Sequence, residues 1–233
     1  MLARNWMSKD VISVDVNDSM QDAIRLIREH KIKHLPVMKN GKLVGIVTDR
    51  DLKSASASGA STLDIHEILF LISNIKVEEI MTKKPITIPA DYTIDEAAEI
   101  LLEHKISGAP VVDDAGKIVG VITQNDIFRV LVLFTGVKKG RIQFAFQLED
   151  RPGSIKEVSD IIRNYGCQLM SILSSQDAQP GYRLVYIRAG GCDRKRLGQL
   201  KDALNAKANM LYMTDHTKRN KKTYQRDVKP SAS

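Results

Sequence analysis

Apolar and polar positions along the chain fall into two regimes, with the change near Gly136. Before it, one short pattern occurs twice. An apolar strand (Val11–Val14; Ile86–Ile88) leads into residues with helical spacing: Met20, Ala23, Ile24 and Ile27, then Ile94, Ala97, Ala98 and Leu101. Ser19 with Asp22, and Thr93 with Glu96, stand three residues apart at the head of these segments, the spacing of a capping box. The runs Leu35–Met38 and Leu43–Thr48 flank Asn40-Gly41 and predict a hairpin, with Asp113-Asp114-Ala115-Gly116 serving as the turn in the second copy. Second helices are expected from Asp51 and from about Asn125. Between the copies, Leu63, Ile65, Ile68, Leu69, Leu71, Ile72 and Ile75 predict a linking helix over 62–75, after the flexible stretch SASASGAS.

The two copies are a true internal repeat. Residues 7–52 realign on 81–127 with an offset of 74, rising to 75 after one inserted residue near Ala115. MSKDVISV meets MTKKPITI, EHKIKHLPV meets EHKISGAPV, and GKLVGIVTDRDL meets GKIVGVITQNDI; about sixteen of 46 paired positions are identical. Self-similarity in register with the helix and strand signals marks a duplicated structural unit.

After Gly136 the pattern is different. RIQFAFQLE alternates polar and apolar residues as a half-buried strand does, and Asp150-Arg151-Pro152-Gly153 is a turn cluster. Ser154 with Glu157 has capping-box spacing, and Ile155, Val158, Ile161 and Ile162 share one face of a helix closed by Gly166. Strands over about 169–175 and 182–188 flank Pro180-Gly181, and a helix over 194–204 precedes a strand over 209–213. The predicted order is βαββαβ.

Charge and cysteine content narrow the classes. The net charge is +7, but residues 216–233 alone carry +5, so the body is close to neutral and the basicity belongs to a polar tail expected to be disordered. Any nucleic-acid affinity would come from that tail, and it would be weak, salt-sensitive and non-specific. No apolar run approaches the roughly 18 residues that span a bilayer, and the first residues have no apolar core of a secretory signal. Cys167 and Cys192 have neither metal-ligand spacing nor the look of a disulfide framework, so a reducing cytoplasm is the expected location. His30 and His34 are four residues apart, but lysines crowd them and the helix should end between them, which argues against a metal site.

The candidate chemistry lies where strands meet helices. Thr48 and Asp51, with their copies Thr123 and Asp126, are either a helix cap or a grip on a sugar diol, since a carboxylate accepts hydrogen bonds from two adjacent hydroxyls. Lys33, His34 and Arg50 are either solvated charges or donors to phosphate. The second copy has Ser107 and Gly108 in place of Lys33 and His34, so the two sites are expected to differ. An apolar slot for a flat base would draw on Ile12, Val14, Leu35 and Pro36, and on Ile86, Ile88, Ala109 and Pro110, although most of these side chains suit a core equally well.

The repeated xLVGIVTDRDL and xIVGVITQNDI, each after an x-P-V strand, resemble a tandem CBS-domain pair, or Bateman module. The resemblance implies an α+β fold with α/β-type repeats, two pseudo-symmetric units whose clefts hold adenosine-containing ligands. It favours the ribose reading of Thr48, Asp51, Thr123 and Asp126, with ATP, ADP, AMP or an S-adenosyl compound as ligand. Residues 140–213, through D-x-P-G-S-I and the following helix-Gly-x-x-Leu, resemble a ferredoxin-like ACT domain. That resemblance implies either a pairing role or a small ligand at Asp150, Gly153, Ser154 and Gln168, where Gln168 replaces the family's usual Asn. The order of the two modules is similar to acetoin-utilization-type regulatory proteins.

The expected domains are a CBS pair over 1–136, with repeats at about 7–60 and 78–135, an ACT-like domain over 140–213 and a tail over 214–233. No P-loop, zincin or nucleophile-elbow motif is found in the sequence. The expectation is therefore a non-catalytic regulatory homodimer or larger assembly, which senses a nucleotide and acts on an effector protein.

Overall fold

A computed structural model describes residues 1–58, 72–137 and 142–216, with the backbone of 222–225. The chain divides into two units, Met1–Phe128 and Arg129–Ser233. The expected linking helix falls largely outside the described residues, of which 72–74 are helical.

In the first unit each repeat is built from the local signals. Strand β1 (Val14–Asp15) is followed by α1 (Met20–Glu29), β2 (His34–Lys39), β3 (Lys42–Thr48) and α2 (Asp49–Ser58). The second repeat adds a short α3 (Val77–Ile80), β4 (Thr82–Lys83), β5 (Ile88–Pro89), α4 (Ile94–Glu103), β6 (Gly108–Val112), β7 (Ile118–Thr123) and α5 (Gln124–Phe134). Ser19 and Thr93 form complete capping boxes with Asp22 and Glu96. Asn40 and Gly41 both take positive φ (50° and 74°), the turn that matches the right-handed twist of two short-looped strands. Strands β1 and β5 are shorter than the apolar runs suggested, and α2 begins at Asp49, two residues before the expected Asp51.

The two repeats exchange their leading segments. Strand β4 pairs with β3 of the first repeat, Thr82 opposite Ile46, while Ser8 forms the equivalent bridge to Val121 of the second. Val77 is completely buried in the first core beside Val14, Met20 and Leu35. In return, Ala3 donates to the carbonyl of Tyr92, and Ile94 donates to that of Met1. Glycine is required where these segments cross the sheets. A Cβ on Gly45 would collide with Met81, and one on Gly120 with Met7. Neither repeat is complete without residues from outside its own span.

The second unit has the predicted βαββαβ order: β8 (Ile142–Glu149), α6 (Ser154–Asn164), β9 (Gln168–Gln176), β10 (Tyr182–Gly190), α7 (Leu197–Lys207) and β11 (Asn209–Asp215). With an edge strand β12 (Lys222–Gln225), the antiparallel sheet runs β12-β11-β8-β10-β9. Phe144 and Phe146 of β8 and Val185 and Ile187 of β10 form the core with Val158 and Ile162 of α6 and Leu200 and Leu204 of α7.

Three expectations need correction here. Cys167 and Cys192 form a disulfide, because two turns bring together strand ends that are 25 residues apart in sequence. Part of the basic tail is ordered as strand β12 (Lys222–Gln225), antiparallel to Tyr212–Asp215, because the free edge of β11 offers backbone partners to a polar segment. Ser154 does not cap α6. Gly153, at φ 88°, occupies the cap position, and Glu157 turns instead to the Arg151 guanidinium, with contacts of 2.8 and 3.1 Å. That fork, donated by Arg151, holds the Glu157 carboxyl down at about 2.

Candidate functional site

Both Thr-x-x-Asp motifs lie at the strand-to-helix junctions, and both are caps. Asp51 Oδ2 accepts from the Thr48 N–H at 2.8 Å and from its hydroxyl at 2.7 Å. Asp126 Oδ2 accepts the same two bonds from Thr123, at 2.9 and 2.7 Å. Capping does not exhaust the first carboxylate. Among the described residues, every hydrogen bond to Asp51 falls on Oδ2, and the side chain is half-buried. Its Oδ1 remains an acceptor, already aimed by a rigid cap. Asp126 is only 6% exposed and engages further partners, so the two junctions are unequal.

Strand register brings the basic candidates to the first junction. His34 stands opposite Thr48, as Gly108 stands opposite Thr123, and the Asp49 amide donates to the Lys33 carbonyl. The structure then separates the trio. Lys33 and Arg50 are exposed, whereas His34 is buried at the contact between β2 and β6. Its Nε2 lies 2.9 Å from Ser107 Oγ. A Cβ on Gly108 would lie 2.9–3.0 Å from three atoms of the imidazole, so the ring occupies the space that glycine leaves. Burial, assisted by the Lys33 charge, lowers the His34 pKa; Asp49 and Asp51 oppose the shift. The contrast between Lys33-His34 and Ser107-Gly108 thus has a packing component. Histidine in one repeat fits glycine at the equivalent position of the other.

The candidates for the base slot also divide. Val14, Leu35, Ile88 and Ala109 are fully buried core residues, and Pro36 and Pro110 are buried with them. Ile12 is half-buried and Ile86 is 38% exposed, so these two equivalent side chains remain at the surface of their repeats. In the second unit, Asp150 Oδ1 lies 3.2 Å from Arg183 Nε, Ser154 is buried, and Gln168 is exposed at the start of β9. Among the described residues, no group of three or more His, Cys, Asp or Glu side chains could hold a metal ion. No described helix is long and apolar enough to cross a membrane.

A family model for the CBS domain matches residues 3–58 and 77–133. An uncharacterized protein of Methanocaldococcus jannaschii, MJ1426, is 32% identical over 155 residues, an alignment that covers 57% of this chain and 92% of that one. The chain belongs to the CBS-domain family. Its CBS pair is also 39% identical over 126 residues to inosine-5′-monophosphate dehydrogenase of Korarchaeum cryptofilum. That alignment covers 54% of this chain and 23% of the dehydrogenase, so the chain spans about a quarter of that relative's length. Among solved structures, the CBS domain pair of protein MJ0100, in complex with 5′-methylthioadenosine and S-adenosyl-L-methionine, is 35% identical. It aligns with a TM-score of 0.49, covering 56% of this chain and 99% of that one. The matched CBS segments begin at residue 3 and resume at residue 77, so they include the leading segments that the two repeats exchange.

Proposed function

We propose that this CBS protein is a non-catalytic regulator that binds an adenosine-containing ligand at its two Thr-x-x-Asp junctions. ATP, ADP, AMP and S-adenosyl compounds are the candidate ligands. The observation that carries the reading is the capped Asp51, whose second oxygen is oriented and has no hydrogen-bond partner among the described residues. A ribose diol needs such an acceptor, held still before the ligand arrives. Ile12 and Ile86 keep apolar surface accessible on their repeats, and the exposed Lys33 and Arg50 supply positive charge near the first junction. His34 serves as the support between the repeats, and the phosphate role passes to Lys33 and Arg50. The second unit is proposed to be an ACT-like domain, with Asp150, Gly153, Ser154 and Gln168 as its ligand loop.

The test is titration calorimetry with AMP, ATP and S-adenosylmethionine against the wild type and Asp51→Asn. Asparagine keeps one carbonyl acceptor and caps a helix about as well as aspartate. Melting of the free protein should therefore hardly move, while affinity at the first site falls by roughly 1.5–3 kcal/mol, or about ten- to a hundredfold. A 2′-deoxy ligand should lose affinity for the wild type and little more for the variant. Unchanged affinity for the ribose ligand would leave Thr48-x-x-Asp51 as a cap and nothing else.

A further inference from the structure

We propose that Cys167 and Cys192 form a thiol–disulfide exchange site for low-molecular-weight thiols and disulfides, with Cys192 as the sulfur they meet. The site lies in the second unit and is independent of the nucleotide reading. Cys167 follows Gly166 (φ 80°), which closes α6, and Cys192 follows Gly191 (φ 69°), just past the end of β10. The ladder pairs Gln168 with Gly190 beside them, so two turns bring the cysteine Cα atoms to 4.3 Å.

The corner does not depend on the sulfur bond for its shape. β9 and β10 stay paired from Gln168–Gly190 out to Gln176–Arg183. The Arg196 guanidinium sits 4.8 Å over the Tyr165 ring, and Tyr165, Leu169 and Leu197 pack on one core. Opening the bridge therefore leaves both sulfurs side by side, and re-closure is an intramolecular reaction between groups already placed.

The two sulfurs differ in access. Cys167 is 4% exposed, whereas Cys192 is half-buried at a turn followed by Arg194, Lys195 and Arg196. Of the cations that follow, Arg194 is paired with Asp215 and Arg196 lies over Tyr165, so access rather than charge separates the two sulfurs. In oxidation, the Cys192 thiolate attacks a low-molecular-weight disulfide RSSR, forming Cys192–S–SR and expelling RS⁻. The Cys167 thiolate then attacks the Cys192 sulfur and expels the second RS⁻. Two protein thiols and RSSR become one protein disulfide and two RSH, a two-electron exchange. Reduction runs the same steps backward. The chain has only these two cysteines, so no other thiol competes.

The full chain, equilibrated in mixtures of reduced and oxidised glutathione and then alkylated, reports the redox state by mass spectrometry. One two-electron transition is expected within the glutathione range, with the far-UV circular dichroism unchanged. Oxidised glutathione should add to Cys192 in Cys167→Ser about ten times faster than to Cys167 in Cys192→Ser. If either variant fails to fold, pulsed alkylation of the reduced wild type gives the same comparison, with Cys192 labelled first. A bridge that stays closed throughout the range, equal labelling rates, or opening only with loss of the dichroism signal overturns the proposal.

Discussion

Gly108→Ala tests the joint between the repeats. Gly108 is not among the residues with positive φ, so alanine fits its backbone and, by restricting the unfolded chain, would ordinarily stabilise by about 0.4–1 kcal/mol. The new methyl would, however, stand 2.9 Å from Cε1 and 3.0 Å from both nitrogens of His34. The ring cannot step aside freely, because it is 7% exposed and tied to Ser107. Overpacking of this kind costs about 1–3 kcal/mol, so a net loss of about 1–2 kcal/mol is expected. Trp6, the one tryptophan, lies in the first unit, and its fluorescence can follow urea unfolding of that unit. In a His34→Ala background the same substitution should be neutral or stabilising, a coupling of about 2 kcal/mol between two residues 74 apart in sequence. Equal effects of Gly108→Ala in both backgrounds would refute the packing argument.

Three further outcomes follow from the same structure. His34 is held neutral by burial, with a folded pKa below its ordinary value of about 6.5, so its contribution is complete above that value and lost as pH falls through the folded pKa. Trp6-monitored stability should therefore decline on acidification below about pH 6.5, and His34→Gln should flatten the decline. Reducing the Cys167–Cys192 bridge, which closes a loop of 25 residues, should destabilise the second unit by about 3 kcal/mol. A reductant should then have no effect on the melting of Cys167→Ser. Helix α5 exposes Phe128 and Leu131 on one side and Leu133 on the opposite side, at 56–59%, apolar surface suited to self-association. Light scattering should show at least a dimer for the wild type, and a shift toward monomer for Leu131→Lys with Leu133→Lys.

The parts of this fold that depend on near neighbours were legible in the amino-acid order. Caps at Ser19, Thr93 and Thr48, and the turn at Asn40-Gly41, are three- and two-residue events with distinct chemistry. The cap of α6 was missed by one residue, since Gly153 can take a left-handed conformation that spacing does not encode. The disulfide was missed because its cysteines stand 25 positions apart in sequence, with a complete hairpin between them. Strand β12 was hidden by composition, as its partners are backbone groups on β11 rather than side chains.

The exchange of leading segments shows why a repeat can be read correctly and still be assigned to the wrong neighbour. An offset of 74 aligns Met7-Ser8 with Met81-Thr82, and that alignment is identical whether each pair of residues joins its own repeat or the other. Periodicity identifies equivalent positions and is silent about which copy they touch. The deciding signal lies in the partners. Gly45 and Gly120 interrupt two apolar strands that otherwise favour β-branched residues, and each vacancy is filled by a methionine. Gly108 is a third vacancy, filled by a histidine that has no counterpart in the second repeat. The first two contacts follow the pseudo-symmetry of the repeats, and the third breaks it. That break lies beside Thr48, where the register sets His34 against the strand end carrying the ribose candidate. The sequence difference between the two junctions thus lies in the packing of the joint as well as in the charge of Lys33. Neutral adenosine should distinguish the two junctions by their packing, and ATP should distinguish them further by charge.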